Sequence, residues 1–470
     1  MLVTNIPPLT ENKLTIVRNT PEGIDNIITR RIEELTAENS SVWSSPNHSR
    51  REYAHSFFQY PAMMVPIVQK KIVDIIKQAA PHSQKVIDPF MGSATSLVAC
   101  MEKGFDCYGQ DINPLSILIA KARTGPFYTK KGIRKKYEQF ITDIENDTCD
   151  TIEVDFKGID KWFKKSVQIE LSKIVRAIRT ESRPWARRFY WINLAEVIRM
   201  TSNDRTSTFK LHARPLDEIE LRTPSPIKEF KTRLTNSIED LEAFGTLLQR
   251  SDQLYKGEYK GKLNLRLQDS SVKIKTPKNE DEFFDLLVTS PPYGDNKTTV
   301  TYGQHSYLPL QWIDLHDIDR KASEEFLKST SEIDTRALGG RIKKLTQDEL
   351  EYLFERSNTF QVTYERLLAD PKAVDKAPKV VSFLKDLFQV VENTYSAMKV
   401  NSYQVWTIGN RTVGGIVIPN NQILQEFIEF KGGKFVTQVK REILNRRMPK
   451  KNSNSELMSF EDILIFRKVD

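Results

Sequence analysis

The stretch KVIDPFMGSATSLVACMEKGFDCYGQDINPLSILIAKA, Lys85 to Ala122, divides into strand, small-residue turn, helix, strand, acidic turn and helix. Such a βαβα unit is the building block of a parallel sheet. The first strand ends at Asp88, and Gly92, Ser93 and Ala94 are small enough to let backbone approach a ligand before the next helix begins. A helix N-terminus placed there often holds a phosphate, but the G-x-G-x-x-G spacing is absent, and Asp88 and Phe90 would repel or crowd an anion. A zwitterionic ligand suits the turn better. The second strand ends at Asp111, positioned to accept hydrogen bonds from ribose hydroxyls. Together the two turns ask for a nucleoside without a pyrophosphate. Taken singly, Asp88 and Asp111 are better explained as helix N-caps; together with the prolyl loop at Ser290-Pro291-Pro292-Tyr293, the ligand reading prevails.

Further along, LLVTSPPYGDNKTTV, Leu286 to Val300, runs a buried-type strand into two consecutive prolines and an aromatic ring. Proline cannot continue a sheet ladder, so a stiff loop follows the strand. Strand ends in open α/β sheets are where ligands bind, which makes Ser290-Pro291-Pro292-Tyr293 a candidate reaction site. Strands resume at LNLRLQDS before this loop and at NSYQVWTI, KFVTQVKREI and EDILIFRKV after it, the last two reading as an antiparallel pair. The expected boundaries are an N-terminal arm or peripheral helix over 1–40, a cofactor half over 41–125 and a helical, charged insertion over 126–258. Catalytic strands and loop over 259–300, a second insertion over 301–372 and a C-terminal part over 373–470 complete the chain.

The 470 residues carry a net charge of +8, which favours a polyanionic partner. Runs of cations beside aromatics or helix breakers start at Lys130, Arg183 and Lys440. Each alone reads as a solvated helix face; three together point to nucleic acid. No apolar run approaches the length of a membrane span, and Cys100, Cys107 and Cys149 have neither paired nor metal-type spacing. A reducing cytoplasm fits, and no membrane or metal is expected. The histidines, among them His55, His212 and His305, are scattered.

Asp88-Pro89-Phe90-x-Gly92 and Thr289-Ser290-Pro291-Pro292-Tyr293 together resemble the S-adenosylmethionine-dependent DNA amino-methyltransferases, in the order cofactor motif then catalytic motif, and in particular the N4-cytosine type. The resemblance covers the sheet-forming part, roughly 270 to 300 residues, and neither long insertion. YPAMM at Tyr60 is similar to the segment that closes over the methionine end of the cofactor, and GNRTVGGIVIP and the closing EDILIFRK are similar to C-terminal stretches of that group. It implies a Rossmann-like class I methyltransferase fold: α/β, a mostly parallel seven-stranded sheet with a C-terminal antiparallel hairpin, and a largely helical insertion. It also implies that Tyr60, Pro61, Asp88, Pro89, Phe90, Gly92 and Asp111 bind S-adenosylmethionine, with Asp269 near the adenine amino group. Two departures stand out. Ala94 occupies a place where a second glycine is common, and Ser290 replaces the Asp or Asn of N6-adenine enzymes.

An exocyclic amine is a poor nucleophile because its lone pair is delocalised into the ring. A Ser290 hydroxyl and the Pro291 carbonyl, stiffened by Pro292, can accept its hydrogens and aim the nitrogen at a sulfonium methyl. Tyr293 offers a face for a base swung out of the duplex. The expected activity is methylation of cytosine N4 in double-stranded DNA, beside a cognate restriction endonuclease. N6-adenine methylation, an RNA or protein amide substrate, and an inactive DNA-binding subunit are the alternatives. For DNA contact the candidates are Arg183, Arg187, Arg188, Arg205, Lys210, Lys297, Arg446 and Arg447. Trp185, Phe189, Trp191 and Ile192, interleaved with these cations, fit a helical packing layer equally well.

Overall fold

The computed structural model describes residues 20–45, 54–127, 130–277, 280–444 and 459–470, without the side chains of 130–135. Arg446 and Arg447 lie outside the described residues, as does the beginning of the expected arm.

Seven strands form one sheet: β1 (Lys85–Asp88), β2 (Asp106–Asp111), β3 (Leu263–Leu267), β4 (Phe284–Thr289), β5 (Met398–Ile408), β6 (Gly433–Glu442) and β7 (Phe460–Lys468). Their spatial order is 3-2-1-4-5-7-6. The first five run parallel, and β7 lies antiparallel between β5 and β6. This is the Rossmann-like arrangement expected, with its C-terminal hairpin and helical insertion.

Period-two alternation explains why these segments are strands. Val86, Leu286, Val288, Val405, Ile463 and Ile465 pack on one face, and Ile87, Leu287, Trp406, Leu464 and Phe466 on the other. Both faces are covered at the centre of the sheet, so β4 is apolar over most of its length, while β2 and β3 toward the edge carry Gln110, Asn264 and Arg266. The second face packs under helices Asn358–Ala369, Ala377–Ala397 and Asn420–Phe430.

The first insertion is helical and continuous with the core of the first face. Its central helix, Pro184–Thr201, is buried nearly all round, the mark of a helix inside a protein. Phe189, Trp191 and Ile192 are core, and Tyr190 stacks on Phe140 with centroids 4.0 Å apart. Of the two readings of these aromatics, the packing layer describes them.

Residues 21–38 form a helix that docks against β6. Arg467 on β7 fastens it, donating from Nε to Asp25 Oδ1 at 2.9 Å and from Nη2 to Glu22 at 2.7 Å, while the Tyr403 hydroxyl donates to Asp25 at 2.9 Å. Arg467 and Asp25 are both buried. Removing one member of such a pair leaves an uncompensated charge. Because Lys434 Nζ, 3.0 Å from Asp25 Oδ2, remains as a partner, Arg467→Met is expected to lower stability by less than the roughly 3–5 kcal/mol of a fully stripped pair, read as a shift in the denaturant midpoint.

Candidate active site

Strands β1 to β4 end at one edge of the sheet, and their following loops surround one cleft of about 1680 Å³. The sheet order reverses between β1 and β4, the position where open α/β sheets open a crevice. Pro89 to Ser93, Asp111 to Asn113, Asp269 and Ser270, and Ser290 to Tyr293 all line it. The two motifs, some two hundred residues apart in sequence, therefore border the same space.

Asp88 is fully buried behind that wall rather than in it. Its Oδ1 accepts from the Phe90 amide at 2.9 Å and from Thr289 Oγ1 at 2.7 Å, and Oδ2 accepts from Ser96 Oγ. The carboxylate shapes the turn and ties it to the end of β4. Asp111 faces the cleft, its Oδ2 accepting from the Gly92 amide at 2.9 Å and its Oδ1 from the Asn113 amide at 2.8 Å. Burial raises the carboxyls of Asp88 and Asp111 to about 6 each.

Gly92 adopts φ +45°, and a Cβ there would lie 3.3 Å from the Tyr60 ring. Ala94 takes φ 61°, ψ 24° without being glycine. That left-handed backbone costs an alanine about 1–2 kcal/mol, which gives the missing second glycine a concrete consequence. Tyr60 accepts from Ser116 Oγ at 2.8 Å and stacks on Tyr302 with centroids 5.5 Å apart. Pro61 lines the cleft beside it, and Asp269 Oδ1 accepts from the Ser271 amide at 2.8 Å on the rim. Around the Gly92 turn, carboxylates with small residues and an aromatic wall fit a cationic nucleoside better than a polyphosphate.

In the prolyl loop, Ser290 Oγ lies 3.3 Å from the Tyr293 hydroxyl, and the Tyr293 carbonyl accepts from Asn420 Nδ2 at 2.9 Å. Buried Asp295 behind it accepts from the Thr298 amide and faces Arg411 Nη1 at 3.5 Å.

The candidate DNA cations do not gather in one place. Arg187 grips Asp317, with Nη2 2.6 Å from Oδ1, and Arg188 donates to the Asp317 carbonyl at 2.7 Å. Arg183 pairs with Glu181 at 2.6 Å. None of these three lines the cleft. Arg205 is exposed, Lys297 donates to the Gly340 carbonyl at 3.2 Å, and Lys210 lines the cleft. Sequence reasoning missed Ser207, Thr208 and Phe209 beside Lys210, and also Arg233, Arg411, Arg441 and Glu461. Phe209 belongs to the first insertion, and its carbonyl accepts from Thr301 Oγ1 at 3.1 Å; no local pattern announces that contact. Among the described residues, no group of three or more His, Cys, Asp or Glu could hold a metal ion, and no helix is long and apolar enough to cross a membrane.

Thr289→Val keeps the shape of β4 but removes one donor from a buried carboxylate. It is expected to cost about 1–3 kcal/mol and to raise the Asp88 carboxyl further. Thermal unfolding and the chemical shift of the Asp88 carboxyl carbon across pH check both effects.

No protein-family profile matches the chain. Two characterised relatives do. The type II methyltransferase M.MvaI of Kocuria varians is 33% identical over 466 residues, covering 94% of this chain and 97% of the relative. The type II methyltransferase M.MjaII of Methanocaldococcus jannaschii is 29% identical over 130 residues, 26% of this chain and 24% of its own length. With the first alignment running nearly the full length of both proteins, and a methyltransferase-type sheet beneath the cleft, the chain belongs to the type II methyltransferases.

Proposed function

We propose that the protein is a site-specific DNA methyltransferase that transfers a methyl group from S-adenosylmethionine to the exocyclic amine of a base swung out of the duplex, cytosine N4 ahead of adenine N6. The observation that carries this reading is the shared cleft: the Asp111 side and the Ser290 loop face one another across it. At about 1680 Å³ it exceeds the roughly 300–1000 Å³ typical of a single small-ligand site. Room for a nucleoside cofactor and a second planar group together supports a two-substrate transfer.

Asp111 would hold the ribose, Tyr60, Pro61, Pro89, Phe90 and Gly92 would wall the cofactor, and Asp269 would stand near the adenine; Asp88 would act from behind by fixing the turn. The bound cofactor supplies an electrophilic methyl. Ser290 Oγ and the Pro291 carbonyl accept hydrogen bonds from the amine and orient it, while Tyr293 stacks on the base. Choice of cytosine rests on Ser290, whose hydroxyl replaces the carboxylate or carboxamide of the adenine-type motif. Lys210 and the Phe209 segment at the mouth of the cleft, with exposed Arg205 and Lys297, are the proposed contacts to double-stranded DNA, and Arg446 and Arg447 keep that role on sequence grounds. A restriction endonuclease of the same specificity is the proposed cellular partner.

Incubation with labelled S-adenosylmethionine and plasmid DNA, followed by digestion to nucleosides and mass analysis, is expected to yield N4-methylcytosine. N6-methyladenine alone overturns the base assignment, and no modified nucleoside favours an inactive subunit or another substrate. Tyr293→Ala should lose most turnover with cofactor affinity nearly unchanged.

Acidity provides a separate check. The Asp111 carboxyl is neutral below about 6 and charged above it, so calorimetric affinity for the cofactor should fall as pH drops through that value. Asp111→Asn should bind weakly and lose this dependence. Folding responds in the opposite sense, because a raised carboxyl takes up protons on folding. Its stabilising contribution is fullest in acid and declines as pH rises from the ordinary carboxylate range through about 6.

A further inference from the structure

Amine methylation releases a proton, and the cleft contains one chain of groups that leads it away from Ser290. The Tyr293 hydroxyl lies 3.3 Å from Ser290 Oγ, and Glu461, lining the same cleft, brings its carboxylate charge to bear on that hydroxyl. Glu461 on β7 sits directly opposite Arg441 on β6 in the hairpin, and the two side chains form an ion pair. Both line the cleft. Arg441 is only 6% exposed, and its Nε has no hydrogen-bond partner among the described residues.

The other carboxylates near the cleft are occupied elsewhere. Asp88 holds Phe90, Ser96 and Thr289; Asp111 holds Gly92 and Asn113; Asp295 holds Thr298 and Arg411; Asp269 holds Ser271; Glu196 pairs with Arg199 and Arg233. None of these contacts reaches Ser290.

We infer that Ser290, Tyr293 and Glu461 form a proton relay that drains the target amine, with Arg441 as a positioning residue that fixes the terminal carboxylate. The inference rests on the amine-methylation reading above. As the nitrogen–carbon bond forms and the carbon–sulfur bond breaks, the sulfur retains the bonding pair and becomes a neutral thioether. The nitrogen must then lose one proton. Ser290 Oγ takes it while passing its own proton to Tyr293 Oη, and the Tyr293 proton moves to Glu461. The positive charge lost at sulfur is matched by the negative charge neutralised on Glu461, which returns its proton to water at the half-buried rim.

The demands on each member are modest. A methylated aromatic amine that still carries its extra proton is a strong acid, so even a carboxylate paired with arginine is base enough. Burial, reinforced by the Glu461 charge, pushes the Tyr293 hydroxyl well above its ordinary value. It therefore remains protonated at neutral pH, able to accept from Ser290 and donate to Glu461 at once.

Single-turnover transfer from labelled S-adenosylmethionine to unmethylated plasmid DNA tests the relay. Tyr293→Phe keeps the stacking ring and removes only the hydroxyl; Glu461→Gln keeps the shape and removes the base. Each is expected to slow transfer by about a hundredfold and to bind the cofactor within twofold by calorimetry; Tyr293→Phe keeps the wild-type melting temperature, whereas Glu461→Gln, which strips buried Arg441 of its partner, lowers it. The double variant should be no slower than the slower single variant, since members of one chain fail together. The solvent deuterium isotope effect of the wild type should vanish in all three. Full-rate transfer by Tyr293→Phe, or losses that multiply in the double variant, overturns the relay while leaving the methyltransferase reading intact. A wild-type protein that methylates no DNA overturns both.

Discussion

The Asp88 carboxylate is the joint on which the site turns. It collects a donor from its own turn at Phe90, one from the following helix at Ser96 and one from the end of β4 at Thr289. Bonds to a charged acceptor contribute about 1.5–3 kcal/mol each, enough in sum to hold a fully buried group that burial alone would drive toward neutrality. Because β1 and β4 flank the reversal in strand order, this one residue fixes how far the Gly92 turn stands from Ser290. Methyl transfer tolerates little slack between donor and acceptor. A carboxylate that looks from sequence like a ligand thus serves the chemistry by setting a distance.

Much of the fold is legible in sequence because a central strand covered on both faces, such as β4, is a short apolar run, and an acidic or prolyl residue marks the ends of β1, β2 and β4. Asp88 and Asp111 close their strands and Asp269 and Ser290 follow theirs, and those strand ends converge on one edge. Less legible were contacts made across long stretches of chain. Arg187 and Arg188 read as a cationic face, yet Asp317, some 130 residues on, engages both. The pairing of Arg441 with Glu461 depends on antiparallel register, which places them opposite each other only once β6 and β7 are aligned. Ala94 could be flagged as a departure from the glycine pattern, but its left-handed backbone appears only in three dimensions.

The first insertion does more than extend the surface. Residues Ala54 to Tyr60 approach the cofactor side of the cleft and must be held without a strand or helix of their own. Arg123, fully buried, donates to the carbonyls of Ala54 and Phe58 and also to that of Ser93 in the cofactor turn. From the other side Asp240, on the insertion's long helix Pro226–Arg250, accepts from the amides of Ala54 and Ser56. Burial lowers the Arg123 guanidinium to about 9, still charged at neutral pH. The segment carrying Tyr60 is therefore clamped between a cation that reads its carbonyls and an anion that reads its amides.

That clamp joins two functions that the sequence keeps apart. The same insertion supplies Asp240 to the segment carrying Tyr60 and lines the cleft with Ser207 to Lys210, where Phe209 meets Thr301 at the start of the helix that follows the prolyl loop. A load placed on the Phe209 segment by a bound duplex would act on helices that pack in the same core as Asp240. Tyr302, at the start of the helix after the prolyl loop, in turn stacks on Tyr60. The proposed polynucleotide contact and the proposed cofactor enclosure thus share one packed body, and a side chain exchanged in its core would disturb both together. An insertion that only carried a reading surface could be exchanged freely; this one is bound, through Asp240, to the segment that carries Tyr60 into the cleft.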